Sequence, residues 1–164
     1  MLGQLIRNRS GAAAVEMALV APLLIAIMFG AMELGYYFYS EHVVVKAVRD
    51  GARFASRQTF DHYDCATSGV DTTVQGETQR VTRTDRVASG GAARLASWTS
   101  DASVSVTMRA APLGTYGSFY GGMTCIPVVV VSATVPYASL FSLLGFNAVN
   151  LQLRATSEVP VMGV

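Results

Sequence analysis

Histidine, cysteine and lysine are scarce in this sequence. Its 164 residues include two histidines, His42 and His62, two cysteines, Cys65 and Cys125, and one lysine, Lys46. A four-ligand Cys/His zinc site would need both pairs to converge. No metal or other cofactor is therefore expected. GxSxG, GxGxxG, P-loop, HExxH and CxxC patterns are all missing. The histidines and cysteines form no recognisable nucleophile–base pair, so an enzyme is not expected. Charge is thin as well. Asp, Glu, Lys and Arg make up 14% of the chain, against about 25% in ordinary soluble proteins. The formal net charge is +1, and the arginines are scattered from Arg7 to Arg154 with no polybasic block. Nucleic acid is not an expected partner. The length suits one modest domain. The apolar share, 51%, points to a membrane or envelope protein.

What the sequence does have is one long apolar run near its start. From Ala12 to Met32 the only ionisable side chain is Glu16. At about 1.5 Å per residue this run can cross a hydrocarbon core of about 30 Å. Arg7 and Arg9 precede it, which keeps the N-terminus cytoplasmic by the positive-inside rule. Three readings compete. A cleaved secretory signal fits the charged start, but no small-x-small site stands near Gly30 to Glu33. A plain membrane anchor explains the length and leaves Glu16 without a purpose, although its place near one end lowers the cost of the charge. In the third reading a peptidase cuts after Gly11, Ala12 becomes a charged amino terminus, and Glu16 is the fifth residue of the mature chain.

The third reading has a resemblance behind it. The stretch "RNRSGAAAVEMALVAPLLIAIMFGAMELGYYFY", followed by "AVRDGARFAS", resembles TadE-like minor pilins or pseudopilins of the tight-adherence, Flp-type pilus systems. The likeness covers the first third of the chain, and beyond Arg57 it rests on general layout. Met17 departs from the family's usual aromatic residue after the glutamate and keeps the apolar volume. The resemblance implies a class III leader over 1–11, cut by a prepilin peptidase between Gly11 and Ala12. It implies that Glu16 pairs with the amino terminus of a neighbouring subunit, because a buried charge is tolerable when paired. Pro22 removes a backbone donor and is either an ordinary membrane-helix proline or a packing feature of the filament. Other pilin subunits, the inner-membrane assembly platform and the lipid bilayer are the implied partners.

The helical signal continues past the apolar run. Leu34, Phe38, Val45, Val48, Ala52 and Ala55 recur at spacings that suit one face, with Glu41 interrupting it. Glu33, Lys46, Arg49, Asp50, Arg53 and Arg57 fall largely off that stripe. One helix is expected from Ala12 to Ser56, membrane-embedded over 12–32 and amphipathic over 33–58. Tyr36, Tyr37, Phe38 and Tyr39 would mark the outer interface or pack on the domain. Gly51 costs helix stability, and close packing of Gly51, Ala52 and Ala55 against a C-terminal sheet would explain it.

Residues 59–164 read as a separate extracytoplasmic α+β domain. Thr59 to Gly76 reads as irregular, with "DHYDC" a set of solvated loop residues rather than a metal cluster. Glu77 to Trp98 reads as a second helix weakened at Gly90–Gly91. "ASVSVTMRA" and "NLQLRATSEVPV" alternate as half-buried strands do, and "IPVVVVSATVP" is β-branched enough for a central strand. Between the first and the central strand, "PLGTYGSFYGGMTC" reads as a long exposed loop. "YASLFSLLGF" (Tyr137–Phe146) covers the core or touches a membrane surface or partner. Outside the cytosol Cys65 and Cys125 are expected to form a disulfide, the alternative being two free thiols. Closing that loop is worth roughly 4 kcal/mol in the chain-entropy model.

The expected fold is thus α+β, a long transmembrane-to-amphipathic helix packed on a small antiparallel sheet, the pilin-like lollipop. The expected function is that of a minor pilin or pseudopilin that joins, primes or caps a Tad/Flp-type pilus, or serves its platform. The expected location is the bacterial inner membrane, single-pass, or an extracellular filament. Two rivals stay open: a permanently anchored binding module that never polymerises, and a minor pseudopilin of type II secretion.

Overall fold

A computed structural model of the chain describes residues 10–142 and 151–163. Most of the expected leader, with Arg7 and Arg9, lies outside the described residues, as do positions 143–146 of the expected Tyr137–Phe146 turn and Asn150 of the last expected strand. Helix α1 runs from Ser10 to Ser56, 47 residues without interruption, or about 70 Å at the α-helical rise. A 3-10 turn at Phe60–His62 leads to a two-residue hairpin, β1 (Tyr63–Asp64) and β2 (Gly69–Val70). Helix α2 spans Thr72–Thr84. Three antiparallel strands complete the domain: β3 (Val104–Ala111), β4 (Ile126–Pro136) and β5 (Gln152–Pro160), with β4 in the centre.

The sheet presents one apolar face to α1. Val106 stands opposite Val131, Met108 opposite Val129, and Val135 opposite Leu153, and all six are buried. The other face carries polar residues, including an Arg109–Glu158 ion pair at 3.3 Å that reaches across β4. Trp98 fills the core completely, its indole N–H donating to Ser103 Oγ at 2.7 Å. The last carbonyls of a helix have no intrahelical donors. Here the fold supplies them: the Tyr63 hydroxyl donates to Ala55 O, and the Met162 N–H donates to Ser56 O at 2.7 Å. The chain end thus returns to close the helix end. Cys65 and Cys125 are joined in a disulfide, which ties the β1–β2 turn to the start of β4.

Three expectations need correction. The buried face of α1 is Ser40, Val44, Ala47, Val48, Gly51, Ala52 and Ala55, whereas Leu34 and Phe38 are exposed. Val48, Ala52 and Ala55 of the expected stripe do lie on this face, and its small residues Ala47, Gly51, Ala52 and Ala55 admit close neighbours. Gly51 meets α2, not the sheet. A Cβ there would lie 2.0 Å from Thr82 Oγ1 and 3.6 Å from the Thr78 carbonyl oxygen. Ala52 and Ala55 are fully buried in the core cluster that includes Val129, Val131 and Leu153.

The second helix also sits earlier than Glu77 to Trp98. Asp71 caps it, accepting from the Thr73 N–H at 2.7 Å. Asp85, in the left-handed region at φ 63°, ends it. The irregular stretch that follows is held by Arg94, which bonds Asp50 of α1 at 3.0 Å and Asp85 at 2.9 Å.

The glycine contact generates a matched test. Alanine ordinarily stabilises a helix interior over glycine by about 0.5–1 kcal/mol. Gly35→Ala, where an added Cβ meets nothing within 4 Å, is expected to leave thermal unfolding unchanged or slightly raised. Gly51→Ala should instead lower the melting temperature of the detergent-solubilised full chain by several degrees, in line with overpacking costs of about 1–3 kcal/mol. Equal melting temperatures for the two variants would contradict the close approach of α1 and α2.

Candidate functional site

Among the described residues, the N-terminal half of α1 is left largely exposed, with Phe141 packed on it at Phe29. Its most apolar stretch has a mean hydropathy of 2.3 and none of it is buried. Val15, Leu19, Leu23 and Ile27 are all at least half exposed. A helix that is apolar all round suits a core or a membrane span. The stretch is long and apolar enough to cross a membrane, and it fits a single-pass anchor. The helix continues through Pro22 unbroken. Gly11 and Ala12 lie in its first turns, both exposed, and Glu16 projects from it exposed, with no hydrogen-bond or ion-pair partner among the described residues. Added Cβ atoms at Gly11, Gly30 and Gly35 would meet nothing within 4 Å.

The other carboxylate of this region, Glu33, is placed quite differently. One of its oxygens accepts from the Tyr137 hydroxyl at 2.8 Å, and the other accepts from the Leu140 N–H at 3.1 Å. Tyr137 packs edge-on against Tyr37 with ring centroids 5.3 Å apart and lies 6.1 Å from Tyr36. Below Glu33, Phe141 meets Phe29 edge-to-face at 4.9 Å. The segment after β4 is therefore clasped to α1 where the apolar stretch ends. Of the four adjacent aromatics, Tyr36 and Tyr37 are half-buried in this contact, while Phe38 and Tyr39 are exposed. Sequence reasoning placed Glu33 off the packed face. The available signal was its 3.6-residue spacing from Tyr37, Ser40 and Val44.

Above the clasp, the outer side of α1 carries His42, Lys46, Arg49, Arg53 and Arg57 in one exposed row. The "DHYDC" residues make turns. Asp64 accepts from the Ala66 N–H and the Thr67 hydroxyl, and chiefly that hydroxyl holds its carboxyl below the usual value. The Thr73 N–H lowers Asp71 likewise. Among the described residues no group of three or more His, Cys, Asp or Glu is placed to hold a metal ion. The β3–β4 connection is a 3-10 turn at Gly114–Tyr120, with Tyr116 and Phe119 exposed.

Fold and site together define a class: a small α+β protein whose single apolar helix is both a membrane-anchor candidate and the spine of its domain. Within that class the family model described as TadE-like protein matches residues 11–53. On that segment the chain is similar to TadE-like proteins, as its resemblance implied. The match takes in Glu16, Pro22, Glu33, Gly51 and Ala52. No curated protein and no solved structure matches the chain.

Two phenols are expected to report the packing around α1. Burial raises Tyr63 well above its ordinary value of 10.0. Burial, and then the hydrogen bond to Glu33, does the same for Tyr137. The folded chain thus holds both protons more tightly than the unfolded chain. The resulting stabilisation is complete below the unfolded value of 10.0 and fades as pH rises through the higher folded values. Alkaline titration of phenolate absorbance should show a late-ionising fraction from these two tyrosines. The late fraction should shrink in Tyr63→Phe and in Tyr137→Phe. Stability should be flat through neutral pH as far as these groups determine it.

Proposed function

We propose that the chain is a minor pilin or pseudopilin of a Tad/Flp-type pilus, made as a membrane precursor and assembled through α1. The observation that carries this reading is the TadE-like segment, whose apolar helix bears one exposed carboxylate, Glu16, five residues after Gly11. A prepilin peptidase cuts between Gly11 and Ala12, leaving Ala12 with a charged amine. Residues 12–32 span the inner membrane with the N-terminus cytoplasmic, and the domain from residue 33 onward lies on the far side. The Glu16 carboxylate of one subunit then meets the new amine of another, so that each subunit carries half of an ion pair completed only by assembly. Apolar surroundings strengthen such a pair. Pro22 leaves the carbonyl four residues before it without its helical donor, a local loosening available for packing between subunits.

Two measurements test the reading. Mass spectrometry of the protein extracted from membranes of its own host should find the mature chain beginning at Ala12. An intact Met1 would support the permanently anchored module instead. Glu16→Ala should insert into membranes normally yet leave the variant out of the pilus or its platform. The expected drop in co-isolation is about 100- to 4,000-fold, because removing one partner of a buried pair costs about 3–5 kcal/mol. Unchanged co-isolation would remove the ion pair from the mechanism.

A further inference from the structure

The segment from Tyr137 to Ser142 has a feature that packing on the domain core does not explain. It leaves the sheet and runs back along α1 toward the apolar half. Its Phe141 rests on Phe29, four residues before Glu33 and so about 6 Å further into the apolar stretch. Phe29 itself is 39% exposed and Leu140 is 47% exposed, so this contact faces outward. Four of its backbone donors and the Tyr137 hydroxyl are nonetheless paired. The Tyr137 N–H donates to Leu151 O at 2.9 Å and the Ser142 N–H to Ser139 O at 3.3 Å. The Phe141 N–H donates to Ser139 Oγ at 3.1 Å. The Leu140 N–H and the Tyr137 hydroxyl are both used on Glu33. An exposed loop in water has no need of such economy, since water satisfies its donors. At the edge of a hydrocarbon layer each unpaired backbone group is costly.

We propose that Tyr137–Ser142 is a second membrane contact, seated in the leaflet on the domain side with Leu140 and Phe141 among the upper acyl chains and Glu33 as its latch. This rests on α1 being a membrane anchor. The depth suits an interfacial element, which buries its apolar side about 5–10 Å into the boundary. Tyr36, Tyr37 and Tyr137 then lie at headgroup level, where such rings are favoured. The occupant is lipid because the contact is continuous with the lipid-facing side of α1: Ile25, Phe29, Gly30 and Phe141 line one apolar groove. Two contacts on one surface fix the tilt of the domain, which a single helix leaves free to rotate about its own axis.

Spin labelling of the full chain tests this. The native cysteines are bonded to each other, so a nitroxide can be placed on Leu24→Cys, Leu140→Cys or Tyr116→Cys in turn. The labelled proteins are reconstituted in vesicles of phosphatidylethanolamine and phosphatidylglycerol. Position 140 should favour oxygen over a water-soluble nickel complex as relaxant, on the side of position 24 and opposite to position 116. Adding Glu33→Ala should move the label at 140 toward water while position 24 stays in lipid. If position 24 is in lipid and 140 reads as aqueous, the second contact is overturned and the anchor stands. If position 24 is itself aqueous, both fall. Spin–spin broadening at 140 that vanishes on dilution with unlabelled protein would assign the site to a second copy, and would overturn lipid as its occupant. Should Leu140→Cys fail to fold, quenching of a Phe141→Trp variant by acyl-chain nitroxide lipids, beyond that of buried Trp98 alone, reads the same depth. No added quenching would overturn the contact.

Discussion

One helix joins an apolar, unburied half to a half that carries a packed domain, and the rest of the structure follows from that. Helix α1 is a single hydrogen-bonded rod of 47 residues, so whatever fixes one half orients the other. Its N-terminal half is apolar on every side and unburied. Its C-terminal half changes composition rather than direction. Large apolar side chains give way to Ser40, Ala47, Gly51, Ala52 and Ala55 on the inner face, and to basic residues on the outer one. Small residues bury little area themselves, yet they let other layers come close. α2 reaches the backbone at Gly51, and the valines of β4 close over Ala52 and Ala55. The domain is thus built onto the rod, and the ends of the chain's long connections, at Tyr63, Met162 and the Cys65–Cys125 bridge, are secured around its far tip.

How much of this is legible in sequence depends on the distance over which each feature is decided. The apolar run and the three strands are written locally. Period and β-branching place β4 on its observed residues and put α1 within two residues of its observed start. The limits of α2 are also local, but they lie in single conformations. Asp71 reads as a loop residue until its carboxylate is seen capping Thr73, and Asp85 reads as helical until it takes a left-handed turn. The inner face of α1 was misjudged because side chains were weighed by size. Leu34 and Phe38 look like core and are exposed, while Gly51 is packed closely as expected but against α2 instead of the sheet. Glu16 stands out as the one charge in an apolar run, so that part of the candidate site is readable. Glu33 could not be read in the same way, because its partner Tyr137 lies 104 positions away.

The two carboxylates bound the apolar stretch, and their contrast carries the physical argument. Each faces the same difficulty, since a charge beside hydrocarbon is costly unless it is paired and hydrogen-bonded. Glu33 meets that demand within its own chain, with a phenol on one oxygen and a backbone amide on the other. It is complete in the monomer, and what it holds is the geometry between domain and anchor. Glu16 is exposed, with no such arrangement among the described residues. Among the described residues the chain thus supplies partners for Glu33 and none for Glu16, so the two ends of the apolar stretch differ. On the proposed pairing with a neighbour's amine, the Glu16 end is where the free energy of association arises. The Glu33 end then ensures that each added subunit arrives with its domain already set against the helix.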